Sequence, residues 1–380
     1  MKRLLLIGAG HAHAQVLKDW IDRPVPGCDV TIVSPQAMTP YSGMVPGWLA
    51  GIYRFDEMSI DFAALARAAG ARFLVDEMIG LDPKRRQVRL RSGGALAYEV
   101  LSLNVGSTLT PPVAPPGDRA RILSLRPLDN LRDGWDTLLD DPRIATQDTP
   151  LVVTAVGGGA AGVESLLATL CRLRSMRPDR PVQSALITAS ATLLPGYAPA
   201  AVRSAHAVLA AAGVDVQTGR DYDDSTARTS DVVLWATGAE AHAWQRNCGL
   251  TVSERGFIRV DERLRSLSHP QVHAVGDCAE WAPPLPKSGV VAVRMGPVLS
   301  RNLRAALGVT TPLPFAPQQR YLALLSTADG RAIASWGRWS LQGRLLWHWK
   351  DRIDRAFVRR FVAGPSFATD PPRRLSGERE

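Results

Sequence analysis

Cysteine is scarce in this chain. Its 380 residues hold four, Cys28, Cys171, Cys248 and Cys278, with no CxxC or CxxxxC spacing between any two. That excludes a disulfide framework and a cysteine-bound metal site, and it predicts a reducing, cytoplasmic setting. A membrane-spanning run is lacking too: Leu151 to Cys171 carries one charge, but it would put three consecutive glycines and a glutamate at mid-bilayer. The start imitates a secretory signal with its basic residues, leucine run and Ala12-His13-Ala14, yet the apolar stretch stops at Gly8, short for such a segment. Lysine numbers only 5 against 40 arginines, and the net charge is +9. Of that excess, 12 basic against 6 acidic residues lie from Leu313 to Glu380. Such a bias predicts an anionic partner or surface, while no nucleic-acid motif accompanies it.

What is present is glycine in meaningful places. LVVTAVGGGAAGVE, from Leu151 to Glu164, reads as a buried strand, a turn with Gly157, Gly159 and Gly162 in GxGxxG spacing, and a helix start. The first glycine permits the tight turn, the second lets backbone approach a pyrophosphate, and the third lets helix and strand pack closely. A diluted copy stands about 150 residues earlier, with Gly8 and Gly10 in place and His13 at the third position. Two such turns predict two nucleotide sites. The strand after each should end in an acid for a ribose hydroxyl. Instead the first ends in Ser34 and the second in Ala189 and Ser190, so NADH and NADPH are not separated. His11 and His13 read as side chains around a phosphate turn, since no further ligand cluster would complete a metal site.

Between and beyond the turns, Val100 to Gly106 reads as a strand ending where the chain crosses between domains, and Pro111 to Gly117 as a linker. Asp231 to Gly238 is a buried strand with a small-residue turn. Val272 to Cys278 is a strand ending in Gly276-Asp277, with a carboxylate suited to the ribityl hydroxyls of FAD. Lys287-Ser-Gly289 precedes a long helix from Val290 to Leu307, whose N-terminus favours negative charge on a reduced flavin ring, an effect Lys287 would add to. The predicted fold is α/β: two Rossmann-like, three-layer ββα nucleotide-binding domains, one inserted in the other, plus a small C-terminal α+β region. The expected boundaries are 1–115 and 253–312 for the FAD domain, 116–252 for the NAD(P)H domain and 313–380 for the C-terminal region.

In that order, Gly8/Gly10, Gly157/Gly159/Gly162, Ala236-Thr237-Gly238 and Gly276-Asp277 resemble the FAD-dependent pyridine nucleotide-disulfide oxidoreductase superfamily over residues 1 to about 310. The missing cysteine pair, GGGAAGVE and the basic aromatic C-terminus look like type II NADH:quinone dehydrogenases. TPYSGMVPGWLAG, LSLNVGS and PKSGVVAVRMGPVLSRNLR look closer still to the reductase module sometimes fused ahead of selenide, water dikinase. The resemblance implies FAD and NAD(P)H as cofactors and places Glu164 near the nicotinamide. The expected reaction passes hydride from NAD(P)H to the flavin, then two electrons to a quinone-type acceptor, with Glu164 and Lys287 as catalytic residues. A soluble acceptor linked to selenium or sulfur metabolism, or a non-catalytic NAD(H) sensor, are the alternatives. Finally, Leu346, Trp349, Ile353, Phe357 and Phe361 recur at helical spacing among Lys350, Arg352, Arg355, Arg359 and Arg360. Such a helix either lies peripherally on an anionic membrane or docks its apolar stripe on the flavin domain.

Overall fold

The computed structural model describes residues 1–113, 120–145, 148–318 and 320–362. Two five-stranded parallel sheets dominate it. In the first, the strand Lys2–Ile7 lies between Cys28–Ser34 and Val100–Leu103, with Arg72–Val75 and Val272–Ala274 at the edges. In the second, Leu151–Val156 lies between Val182–Thr188 and Val232–Trp235, with Val214–Thr218 and Arg121–Ser124 outermost. The central strands are covered on both faces, which is why they read as unbroken apolar runs instead of alternating ones. A three-stranded antiparallel sheet, Met78–Asp82, Gln87–Leu90 and Ala95–Ala97, forms a third layer. The predicted fold class is therefore observed. The C-terminal α+β region is a meander of Ala323–Ser326, Ala332–Trp336 and Trp339–Gly343, followed by the helix Arg344–Arg359.

Each central strand feeds a helix through its glycine turn. After Lys2–Ile7 comes His11–Asp22, which packs along Gly289–Ala306. Gly296 is what lets these two approach, because a Cβ there would meet the Gln15 side chain at 2.8 Å. After Leu151–Val156 comes Ala160–Met176. The first helix begins directly after Gly10, where Asn104 reaches in from the neighbouring strand. Its Oδ1 accepts from the backbone N–H groups of Ala12 and His13 at 3.1 and 3.3 Å. That supplies end groups which the helix itself cannot satisfy. Most of the linker predicted at Pro111 to Gly117 lies outside the described residues, as does the basic tail after Val362.

The C-terminal helix corrects a sequence expectation. Its apolar residues do not form a single stripe. Phe357, Val358 and Phe361 turn inward and are buried, together with Lys350 and Asp354. Leu345, Trp349 and Ile353, spaced four apart, turn outward at 84, 47 and 41 % exposure. Lys350, which reads as surface decoration, is instead held by Asp354 Oδ2 at 2.6 Å and the Gly43 carbonyl at 2.7 Å. Burial of such a cation is tolerable only because it is paired and hydrogen-bonded.

Candidate functional site

Both glycine turns open into one cavity of about 1810 Å³ that runs between the two sheets. Its wall includes Gly8, Gly10, Ser34, Gly106, Gly276, Asp277, Lys287 and Gly289 on one side, and Gly157, Gly159, Glu164 and Gly238 on the other. It thus brings together twelve of the fourteen residues selected from sequence; His13 and Gly162 stand behind the turns. His13 is fully buried, and its ring bridges the Gly8 carbonyl (2.7 Å) and Ser102 Oγ (2.8 Å). It braces the turn from the protein side instead of facing a ligand, and burial pushes its pKa down to about 4. A side chain is accommodated there because Ser102 offers it a partner. At Gly162 any Cβ would collide with the Gly157 carbonyl oxygen.

The turns have the shape a pyrophosphate requires. Gly8 sits at φ +92°, and a Cβ on it would lie 2.5 Å from the Asn104 carbonyl oxygen. Gly157 sits at φ +123° against the Ala236 carbonyl. Side chains rarely adopt either conformation. A Cβ on Gly159 would meet nothing within 4 Å, so that face of the turn is open for a ligand to approach backbone N–H groups. The residues present therefore fit two dinucleotides.

Charged groups are set around the cavity by specific contacts. Asp277 accepts from Arg126 through Nη1, and Ser107 lies 3.4 Å from the same carboxylate oxygen. Lys287 is not a solvated surface lysine: its ammonium donates to the Ala279 carbonyl and lies 3.8 Å from the centre of the Phe257 ring. Burial lowers its pKa. Glu164 lies deep inside, with Oε1 accepting the Ser326 backbone N–H at 2.7 Å. Burial pushes its pKa up to about 7, opposed by the Lys350 charge. On the same cavity wall, Tyr41 packs against Phe357 with ring centres 4.4 Å apart and planes tilted by 32°, and the His11 ring meets Tyr41 edge-on at 5.3 Å. Desolvation holds His11 neutral, its pKa down to about 4.

Several wall residues escape sequence reasoning. Arg126 and the acids Asp76 and Glu77 line the cavity from segments without a motif, and Asn104 and Tyr41 from quoted segments in which neither was singled out. Asp76 donates its backbone N–H to the Ser34 carbonyl at 3.1 Å, so an acidic pair stands next to the strand end that lacks its own acid. The counterpart in the second sheet is Arg220, whose N–H meets the Thr188 carbonyl at 3.0 Å. Strand pairing, invisible along the chain, is what brings these residues into place. Among the described residues, no cysteine lines the cavity, and no cluster of His, Cys, Asp and Glu could hold a metal.

Two parallel nucleotide-binding sheets sharing one cleft define a flavin- and nicotinamide-dependent oxidoreductase. The chain belongs to the pyridine nucleotide-disulphide oxidoreductase family, whose model matches residues 2–296. FAD and NAD(P)H are its cofactors. It is 22% identical to a probable NADH dehydrogenase of Dictyostelium discoideum, over 86% of this chain and 78% of that one. It is 27% identical to a nitric oxide reductase FlRd-NAD(+) reductase of Aeromonas salmonicida, over 74% of each. In fold it is similar to the sulfide:quinone oxidoreductase of Aquifex aeolicus, with TM-score 0.76, 16% identity, and 97% and 94% of the two chains covered. NDH2 of Plasmodium falciparum in complex with NADH gives TM-score 0.76, 14% identity, and 95% and 97% coverage.

Proposed function

We propose that this oxidoreductase moves two electrons from NAD(P)H, held by the Gly157 turn, through FAD, held by the Gly8 turn and Asp277, to a quinone. FAD, when bound, supplies the hydride and electron chemistry; the protein supplies position, charge and protons. The observation that carries the quinone reading is the stretch of cavity wall formed by Glu164, Tyr41, Tyr197 and Tyr321, with Phe357, Lys350 and Asp354 of the C-terminal helix buried behind Tyr41 and Glu164. Aromatic surface there suits a flat apolar ring. A quinone taking two electrons also takes two protons, and Glu164, with a pKa about 7, can hold one and release it at neutral pH. Lys287 and the N-terminus of Gly289–Ala306 place positive charge where a reduced ring would gather negative charge. With no cysteine at the described wall, no protein dithiol intervenes.

The outer surface fits an acceptor dissolved in a bilayer. No helix of the described residues is long and apolar enough to cross one. The C-terminal region nevertheless exposes Trp336, Trp339, Leu341, Leu345, Trp349 and Ile353 among Arg338, Arg344 and Arg352. Aromatic and cationic side chains together suit the headgroup layer of an anionic, cytoplasm-facing membrane. The deciding experiment is anaerobic stopped-flow reduction of the FAD-loaded protein by NADH and NADPH, followed by mixing with a short-chain quinone. Bleaching and prompt reoxidation are expected. Bleaching without reoxidation would remove the quinone and direct attention to soluble acceptors, whereas no bleaching with either nucleotide would leave only a binding role.

A further inference from the structure

The second nucleotide unit carries a charge reversal that bears on its donor. In the first unit, the backbone N–H that meets the strand-end Ser34 carbonyl belongs to Asp76, followed by Glu77. In the second unit, the N–H that meets the strand-end Thr188 carbonyl belongs to Arg220, followed by Asp221. The strand ends are matched independently: Gly8 donates to the Val33 carbonyl and Gly157 to the Ile187 carbonyl, both at 2.8 Å. In nucleotide folds of this kind an acid at the end of the strand after the first helix binds the ribose hydroxyl pair, and an arginine nearby accommodates a 2′-phosphate; Asp76 and Arg220 reach that strand end from the strand next to it. FAD has no 2′-phosphate, so acids suit the first unit.

We infer that Arg220, with Ser190, forms a 2′-phosphate subsite and that the physiological donor is NADPH. The inference rests on the reading that the Gly157 turn binds the nicotinamide nucleotide. Both residues line the cavity, and the Gly219 N–H meets the Ser190 carbonyl at 3.0 Å, which fixes the two loops side by side. Thr188 Oγ1 accepts the Ser190 N–H at 3.3 Å, and Ala189 and Ser190 are exposed, leaving room for a phosphate. The guanidinium is preset at the rim: it donates to Gln217 Oε1 and lies 3.6 Å from Asp223 Oδ2. Asp223 caps a helix with Oδ1, which accepts the Thr226 N–H at 3.0 Å, and turns Oδ2 toward Arg220, so an arriving phosphate competes with this carboxylate for the guanidinium. Asp221 is the one wall acid of this loop that opposes the subsite. A fork-shaped arginine binds phosphate through paired hydrogen bonds, and its several N–H groups let it do so with Asp221 and Asp223 beside it.

The test is calorimetric titration of the FAD-loaded protein with adenosine 2′,5′-bisphosphate and with 5′-AMP. The 2′-phosphorylated probe is expected to bind roughly 10- to 100-fold more tightly, the range of a charge-assisted contact. R220A should erase that gap by weakening the 2′-phosphorylated probe far more than 5′-AMP, R220K should restore part of it, and A189D should reverse it. Equal or tighter binding of 5′-AMP, no binding of either probe, or a gap that survives R220A would overturn the subsite. Flavin bleaching is read separately with both nucleotides. If neither bleaches it, the electron-transfer reading falls, while the calorimetry still decides the phosphate site.

Discussion

The two nucleotide units are built on one plan and differ at matched positions. Where the first helix has His13 and Gln15, the second has Gly162 and Glu164; where the first sheet offers Asn104 beside its turn, the second offers Ala236. Strand direction, the order of the four strands around each turn and the turn geometry are the same in both, while the remaining edge strand comes last in the first sheet (Val272–Ala274) and first in the second (Arg121–Ser124). The plan therefore comes from backbone needs, a parallel strand and a glycine turn into a helix. The exchanged residues decide how each turn is braced and what charge it presents. In the first unit, side chains brace the turn: His13 behind it, and Asn104 tying Ala12 and His13 to the Val275 carbonyl at 3.1 Å. In the second, close packing of Gly162 against Gly157 does the same work.

Exchanges between the units test whether these solutions are separable. The largest effect is expected at Gly162. In Gly162→Ala the new methyl runs into the Gly157 carbonyl, a backbone atom that cannot swing away. The turn must shift, so NAD(P)H should bleach the flavin at least about 100-fold less efficiently, with a stability loss of about 1–3 kcal/mol. FAD content, set by the other turn, should stay normal. Stopped-flow efficiency together with the bound-flavin spectrum checks this, and an unchanged rate would show that the tight packing is dispensable.

Asn104→Ala makes the first unit resemble the second and should cost less activity but more stability. It strips three buried hydrogen bonds and leaves the Ala12 and His13 N–H groups without their acceptor, at about 1–3 kcal/mol for each group left unsatisfied. Because the first turn then loosens, the Tm should fall and FAD should be released more readily, seen as a rise in free-flavin fluorescence. His13→Gly removes the ring contacts to Gly8 and Ser102 and should act in the same direction more weakly, since water can enter the space it leaves.

The sequence made the plan legible because strands, turns and helices are local: KRLLLIGAG and LVVTAVGGG each announce strand and turn within ten residues. Gly276-Asp277 and the helix after Lys287 were readable for the same reason. Residues that act across strands were not. Asp76 and Arg220 complete strand ends to which they are joined only by pairing, and Asn104 acts on a helix about ninety residues away in the chain. Side-chain direction was also hidden. Helical spacing picked out Trp349, Ile353, Phe357 and Phe361, but not which of them face the protein, because the inward face is partly polar. A buried Lys350–Asp354 pair looks like surface charge until its partners are known.

Glu164→Gln completes the set of exchanges and has the smallest expected effect on the folded protein, visible mainly as a pH dependence. In the native state burial holds the carboxyl pKa near 7, above its ordinary 4.5, so the folded protein keeps a proton that the unfolded chain gives up. Stability from this group is therefore greatest below about pH 4.5 and is lost as pH rises through 7. The amide that replaces the carboxyl in the variant cannot ionise, so between pH 5 and 8 the wild-type Tm should fall relative to that of the variant. Quinone reoxidation should slow several-fold and lose its pH dependence near 7 if this carboxyl passes the proton, whereas a slowed reductive half-reaction would mark the place beside the nicotinamide that the resemblance implies. A reoxidation profile of the same shape in both proteins would leave Glu164 as a group that only positions Ser326. It would also show that the exchange of Gln15 for Glu164 between the units serves packing alone.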